Sequence, residues 1–165
     1  MSFYQGKTFL VTGAAGFIPS HLVDALLSKG ASVVGVDNFI SGRRENIAHL
    51  ANTPAFTFIE ADVTTPPEWY LSTMSSIPSF AGVFHMASPA SPVGYQEHPV
   101  ETYLVNSYGT HLLLQYCKEK QSNTRFLFTS TSESYGDPLE HPQKETYWGN
   151  VNPNGVRSMY DESKR

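Results

Sequence analysis

The sequence predicts an α/β fold, a doubly wound parallel sheet, and three observations point to it. β-Branched and aromatic apolar runs alternate with longer amphipathic stretches along the chain. A glycine turn, Gly13-Ala14-Ala15-Gly16, separates the first apolar run from the first amphipathic stretch. A later apolar run, Phe126-Leu127-Phe128, ends abruptly in the polar string STSESYGD at 130–137. Ligands of such sheets bind beyond the carboxyl ends of the strands, where polar groups at a strand end have a use.

The elements follow from the same patterning. Strands are expected at 8–12, 32–37, 57–60, 82–86 and 125–129. Helices are expected at 16–28, 43–51 and 100–120, with one more beginning near Ser158. Pro66-Pro67 and the prolines between 89 and 92 read as loop punctuation. Residues 137–155, with three prolines and two glycines, read as one long loop, a kind that in compact domains is usually functional. No repeat or linker divides the chain, so residues 1–165 are read as one domain.

Composition narrows the partners. With 165 residues, 40% hydrophobic and 16% charged, the chain is apolar enough for a packed core. A net charge of -4 offers no general attraction to nucleic acid or anionic membrane, so small-molecule partners are expected. The single Cys117 excludes an internal disulfide, and MSFYQGK followed by a short strand is neither a signal peptide nor a membrane span; a cytoplasmic location fits. The six histidines lack metal-ligand spacing, so no metal is expected and each reads as a surface or helix-packing residue.

Two constellations carry chemistry. In the turn, Gly13 and Gly16 let backbone N–H groups approach an anion, and the following helix N-terminus favours a diphosphate. Such turns also occur for steric reasons alone, but Asp37 ends the second strand 24 residues after Gly13, where a carboxylate can accept from both ribose hydroxyls. It would repel a 2′-phosphate, which favours NAD, while Arg43 and Arg44 keep NADP open. The second constellation is Tyr160-Asp161-Glu162-Ser163-Lys164, whose four-residue spacing puts Lys164 beside Tyr160 on one helix face. A phenol of pKa about 10 needs about 3 units, roughly 4 kcal/mol, to act as phenolate at pH 7. A cation at about 4 Å in an effective dielectric of about 20 supplies that order of energy. The pair therefore makes an adequate base for an alcohol losing hydride, the alternative being an ordinary exposed helix face. The hydroxyls and carboxylate of 130–133 would face the substrate; capping of the next turn competes with that reading.

On these residues the chain resembles the extended short-chain dehydrogenase/reductases, and among them most closely the UDP-glucuronate decarboxylases. TGAAGFIPSHL at 12–22, VDNFISGRREN at 36–46, HMASPASPVGY at 85–95, STSESYGDPLEHPQKETYWGNVNP at 130–153 and RSMYDESKR at 157–165 carry the resemblance. It implies a Rossmann-like NAD-binding domain and a UDP-sugar substrate. NAD would oxidise the sugar C4 hydroxyl, the β-keto acid would lose CO2, and NADH would reduce the ketone to give UDP-xylose. By this resemblance Tyr160 is the base, Lys164 its partner and ribose ligand, Thr131 the hydroxyl on the C4 oxygen, and Ser132 and Glu133 the pair beside the carboxylate-bearing carbon. Glu133 would disfavour the carboxylate by repulsion. Tyr95 resembles a substrate contact, with a packed loop aromatic as the alternative. Phe17 and Ile18 would offer N–H groups to the diphosphate, Asp37 and Asn38 would serve the ribose end, and Asp62 and Val63 would flank the adenine.

Pro19 stands where the family has a third glycine, and Ser134 where it has valine. Pro19 is tolerable in a first helical turn, where its N–H would have no intrahelical partner. The resemblance further implies a homodimer, and further strands and a substrate domain after Arg165; residues 1–165 are then an N-terminal portion, expected to be inactive alone. A 4,6-dehydratase, a 4-epimerase and a non-catalytic NAD-binding module remain alternatives. A dehydratase of this type would carry Asp-Glu at 132–133, and an epimerase no acid at 133.

Overall fold

Five strands, β1 (Thr8–Thr12), β2 (Ser32–Asp37), β3 (Phe56–Glu60), β4 (Phe80–His85) and β5 (Arg125–Phe128), form one sheet in the order β3-β2-β1-β4-β5. These come from a computed structural model that describes residues 2–121 and 123–165. All four pairings are parallel. β1 pairs with β2 from Thr8↔Ser32 to Thr12↔Val36 and with β4 from Phe9↔Gly82 to Thr12↔His85. The strand order reverses at β1, so a crevice opens beyond the ends of β1 and β4.

Both faces of the sheet are buried at β1, β2 and β4, whereas β5 is only partly covered, with Leu127 47% exposed. Alternate residues go to opposite faces: Phe9, Val11 and Val33 pack with Val23 and Leu26 of α1 (Phe17–Ser28). Leu10, Val34 and Val36 pack with Tyr70 and Leu71 of α2 (Pro67–Leu71) and with Leu113 and Tyr116 beyond β4. Each fully buried large apolar side chain contributes about 1.5–3 kcal/mol, so these two layers hold the sheet. No helix among the described residues is long and apolar enough to cross a membrane.

The helices depart from the sequence expectation in four places, each for a local reason. Residues 43–51 form two short 3₁₀ turns, Arg44–Asn46 and Ala48–Leu50, rather than one helix. The segment is drawn under the glycine turn, where the Arg43 N–H and the Asn46 Nδ2 both donate to the Ala15 carbonyl, at 3.0 and 2.8 Å. The prolines read as loop punctuation begin two short helices, α2 and α3 (Pro92–Glu97), with Pro67 and Pro92 at first-turn positions. The expected helix at 100–120 is α4 (Pro99–Leu104), a π-helical turn Val105–Gly109, and α5 (Thr110–Lys120). The helix expected from Gly16 starts one residue later, with Gly16 as its N-cap. α6 (Ser158–Lys164) lies where expected, and 137–155 is free of helix and strand, tied back by a single bridge between Gly136 and Asn150.

His85 corrects the reading of the histidines. It is the last residue of β4 and 1% exposed, a strand residue in the core. Its Nε2 lies 3.2 Å from the Val105 carbonyl oxygen, which can only accept, so Nε2 carries the proton. Nδ1 then accepts from the Thr12 hydroxyl at 2.7 Å. The Thr12 oxygen in turn accepts from the Met86 and Ala87 N–H groups at 3.1 and 3.2 Å. Burial holds the imidazole neutral, with its pKa lowered from 6.5 to about 4.

A depressed histidine pKa means that the unfolded chain takes up the proton first, so this contribution is lost as pH falls from about 6.5 towards about 4. His85→Gln has no such group. In urea melts the stability advantage of the native chain over His85→Gln should therefore shrink by on the order of 3 kcal/mol across that window. A constant difference would show that the imidazole is not held neutral.

Candidate functional site: a dinucleotide crevice beside a tyrosine–lysine helix

The crevice at the strand ends is a cleft of about 520 Å³. Its floor is the turn between β1 and α1. Gly13 sits at φ 71°, and a Cβ there would come within 2.8 Å of Ala87 Cα. Only glycine lets β1 and the segment after β4 approach this closely. Pro19 is the third residue of α1 and is buried, and the helical ladder begins at the Ser20 N–H to Gly16 carbonyl bond, 3.1 Å. The proline thus occupies a position whose N–H the helix leaves unpaired. The side chains of Phe17 and Ile18 are exposed at the cleft mouth, on the first helical turn.

Asp37 reaches the cleft from the end of β2. Its carboxylate accepts from the Ala15 N–H at 2.9 Å and the Phe39 N–H at 2.8 Å. Burial raises its pKa, and these backbone bonds oppose the rise. Phe39 adopts a left-handed conformation, φ 61°, that brings its N–H back to the carboxylate. Gly42 closes the loop over it: a Cβ there would lie 2.9 Å from both carboxylate oxygens. Asn38 donates to Asp62 at 3.1 Å, and Asp62 also accepts from the Thr64 N–H and hydroxyl at 2.8 and 2.7 Å. Asp62 and Val63 line the cleft beside them. Arg44 is turned to Glu60, 2.7 Å away, and lies over the Phe39 ring at 4.0 Å.

The other side of the cleft is built on α6. Tyr160 and Lys164 both line the cleft, 6% and 5% exposed. Lys164 does not sit against the phenol: its Nζ donates to the Thr129 carbonyl at 2.7 Å and lies 6.0 Å from the Tyr160 ring centre. Burial raises the Tyr160 pKa, and a side-chain hydrogen bond with Thr131 opposes it. Burial likewise lowers Lys164 to about 8. The expected net lowering of the Tyr160 pKa is therefore not found in this state: burial outweighs the opposing bond, and the Lys164 ammonium is turned to a strand-end carbonyl.

Thr131 caps the short turn Ser132–Tyr135, its hydroxyl accepting from the Glu133 N–H at 3.2 Å, so the capping reading holds for its backbone side. The same residue meets Tyr160. Ser132 is exposed, and Glu133 pairs with Arg157 at 3.2 Å. Ser134 donates to the Thr131 carbonyl at 2.7 Å, a bond that valine could not make. Thr129 and Ser130 line the cleft, whereas Thr131, Ser132 and Glu133 stand just outside it. Tyr95 is on α3, not in a loop, and is 2% exposed, stacked on Tyr160 with ring centres 4.7 Å apart. Stacking support of the phenol is what the geometry gives it.

Four residues of this site were not singled out by the sequence: His85, Thr12, Gly42 and Arg157. Arg157 lies three residues before Tyr160, and that spacing was the available signal.

Comparison with known proteins agrees with this geometry. UDP-glucuronic acid decarboxylase 1 of Arabidopsis thaliana is 53% identical over 156 residues, which are 94% of this chain and 33% of that protein. The Danio rerio UDP-glucuronic acid decarboxylase 1 is 44% identical over 159 residues, 96% of this chain and 35% of that protein. Among solved structures, the Thermotoga maritima UDP-glucose 4-epimerase with UDP-glucose superimposes with a TM-score of 0.74 at 31% identity, covering 95% of this chain and 47% of that one. The Bifidobacterium longum UDP-glucose 4-epimerase, in complex with NAD+ and UDP, gives 0.74 at 31% identity, with 96% and 46% covered. The chain thus spans about a third of these decarboxylases and under half of the epimerases. The profile of the GDP-mannose 4,6 dehydratase family matches residues 10–165, and the chain belongs to that family.

Proposed function

We propose that this chain is the NAD-binding part of a UDP-glucuronate decarboxylase that forms UDP-xylose through a 4-keto intermediate. The observation that carries the reading is the turn after β5, where Ser132 precedes a Glu133 paired with Arg157 beside Tyr160. A 4,6-dehydratase would need an acid at 132 to eliminate water. An epimerase has no use for the acid at 133.

The cleft fits NAD. The N-terminal amides of α1 at Phe17 and Ile18 and a carboxylate at Asp37, beside the tight turn that Gly13 permits, suit a diphosphate and a ribose with free hydroxyls. Gly16, Asn38, Asp62 and Val63 complete the lining on the adenosine side. NAD bound there supplies the acceptor and later the donor of hydride. The Asp37 carboxylate at the ribose end would repel a 2′-phosphate, which supports NAD over NADP, and Arg44 is turned to Glu60 by an exposed pair.

Tyr160 takes the proton of the C4 hydroxyl, and Thr131, beside the phenol, orients that oxygen. Lys164 contributes by turning from the Thr129 carbonyl toward the ribose and the phenol. A ketone β to a carboxylate is its own electron sink: Ser132 and Glu133 orient and destabilise the carboxylate. The pair of the broken C5–C6 bond passes into the enolate as CO2 leaves, and the enolate takes a proton from water at C5 to restore the 4-ketone. Tyr160 later returns its proton to the C4 oxygen. The reading includes a cytoplasmic homodimer. A buried, unpaired Cys117 is in keeping with the compartment, and the exposed Val100, Tyr103, Tyr108 and Leu114 on the outer side of the α4–α5 helix are in keeping with a self-association face.

Two outcomes are expected. Fluorescence titration of the chain should show NAD binding more tightly than NADP, and Asp37→Ala should weaken NAD by at least about tenfold. Equal affinities for the two dinucleotides would remove Asp37 from the ribose. In a protein that joins this chain to the remaining length of its relatives, UDP-glucuronate with NAD should release CO2 and a UDP-pentose. Tyr160→Phe should slow that release by about 10²–10⁴-fold. Conversion of UDP-glucose to its C4 epimer, with the glucuronate untouched, would establish the epimerase instead.

A further inference from the structure

We infer that His85 is a positioning residue that sets the place of the Tyr160–Lys164 helix from both sides while holding the glycine-turn end of the crevice in register. The inference rests on the reading of Tyr160 and Lys164 as the reacting pair.

One path runs through the ring. Nε2 donates to the carbonyl of Val105, the first residue of the π-helical turn, at 3.2 Å. A wide turn of this kind places one extra residue in the helix and is common where a helix serves a site. With Val105 tied to the sheet, the next residue, Asn106, is 2% exposed and donates from Nδ2 to the Ser163 hydroxyl at 3.1 Å. Ser163 immediately precedes Lys164. The other path runs through the backbone. The His85 carbonyl accepts from both the Thr129 N–H and the Thr129 hydroxyl, each at 3.2 Å. The Thr129 carbonyl in turn holds the Lys164 ammonium at 2.7 Å.

These two paths matter because they meet α6 at adjacent residues, Ser163 and Lys164, so tertiary bonds fix where its side chains stand. The third link of the ring, Nδ1 to Thr12, joins the same residue to the Met86 and Ala87 amides. Ala87 is the residue that packs against Gly13. The dinucleotide end of the crevice and the reacting helix therefore share one side chain as their spacer.

The two ring nitrogens can be tested separately. Glutamine places an amide donor near the Nε2 position and can keep the Val105 bond. Asparagine places an acceptor near Nδ1, keeps the Thr12 bond and cannot reach Val105. Titrating the labelled Lys164 side chain by NMR in the full chain reads the seat of α6 without any turnover. Native Lys164 should titrate at about 8. His85→Gln should stay within about half a unit of native, whereas His85→Asn should move up by about one unit or more, toward the ordinary lysine value of about 10.4. Ser163→Ala, which leaves His85 in place, should reproduce the asparagine shift. Equal shifts in His85→Asn and His85→Gln, or an unmoved midpoint in Ser163→Ala, would overturn the inference. If His85→Asn does not fold, His85→Gln and Ser163→Ala decide by the same criteria. Because no substrate enters, a chain that passes this test while the decarboxylation assay fails would keep the positioning role and lose only the proposed reaction.

Discussion

At the point where the strand order reverses, β1 and β4 must separate enough to admit a ligand and yet stay in register. Thr12 and His85, opposite each other in that pairing, meet the requirement with one fully satisfied polar knot. The hydroxyl gives its proton to the ring and accepts two backbone amides, and the ring passes its own proton to the helix behind the sheet. Buried polar groups are costly unless every partner is present, and here each of them has one. An apolar pair would fill the space but leave the Met86 and Ala87 amides and the Val105 carbonyl without these partners. The crevice, the π-helical turn and the seat of α6 all hang from this joint.

The polar groups around the crevice act by position more than by stabilisation. The Arg157–Glu133 pair is partly exposed, with side chains at 47% and 33%, and such pairs contribute about 0–1 kcal/mol. Its effect is to aim the carboxylate of a short turn whose backbone Thr131 caps. Lys164 shows the opposite balance. It is buried deeply enough for its charge to be costly, and a strand-end carbonyl and the Phe128 ring, 4.7 Å away, offset part of that cost.

Much of the molecule was legible from residue order. Apolar alternation with a glycine turn located the strands within about two residues, since a period-two pattern and a strand length are local properties. Asp37, Tyr160 and Lys164 could be picked out because their spacing relative to the strand end and the helix turn is also local. The prolines at 67 and 92 misled, because the same ring that ends a helix is accepted in the first turn of the next one. Residues 43–51 misled for a different reason. Their helical pattern is real, and the pull of Ala15 on Arg43 and Asn46 overrides it.

What the sequence determined by itself is the parallel α/β class, the dinucleotide turn and the identity of the chemical groups at the strand ends, because each depends on neighbours a few residues apart. Only the tertiary structure decided how those groups stand: Tyr95 against Tyr160, Arg157 against Glu133, Lys164 turned from the phenol to Thr129, and His85 in the core between Thr12 and Val105. Such contacts join segments tens of residues apart. Their distances set the burial, and burial rather than spacing fixes which way each proton equilibrium shifts.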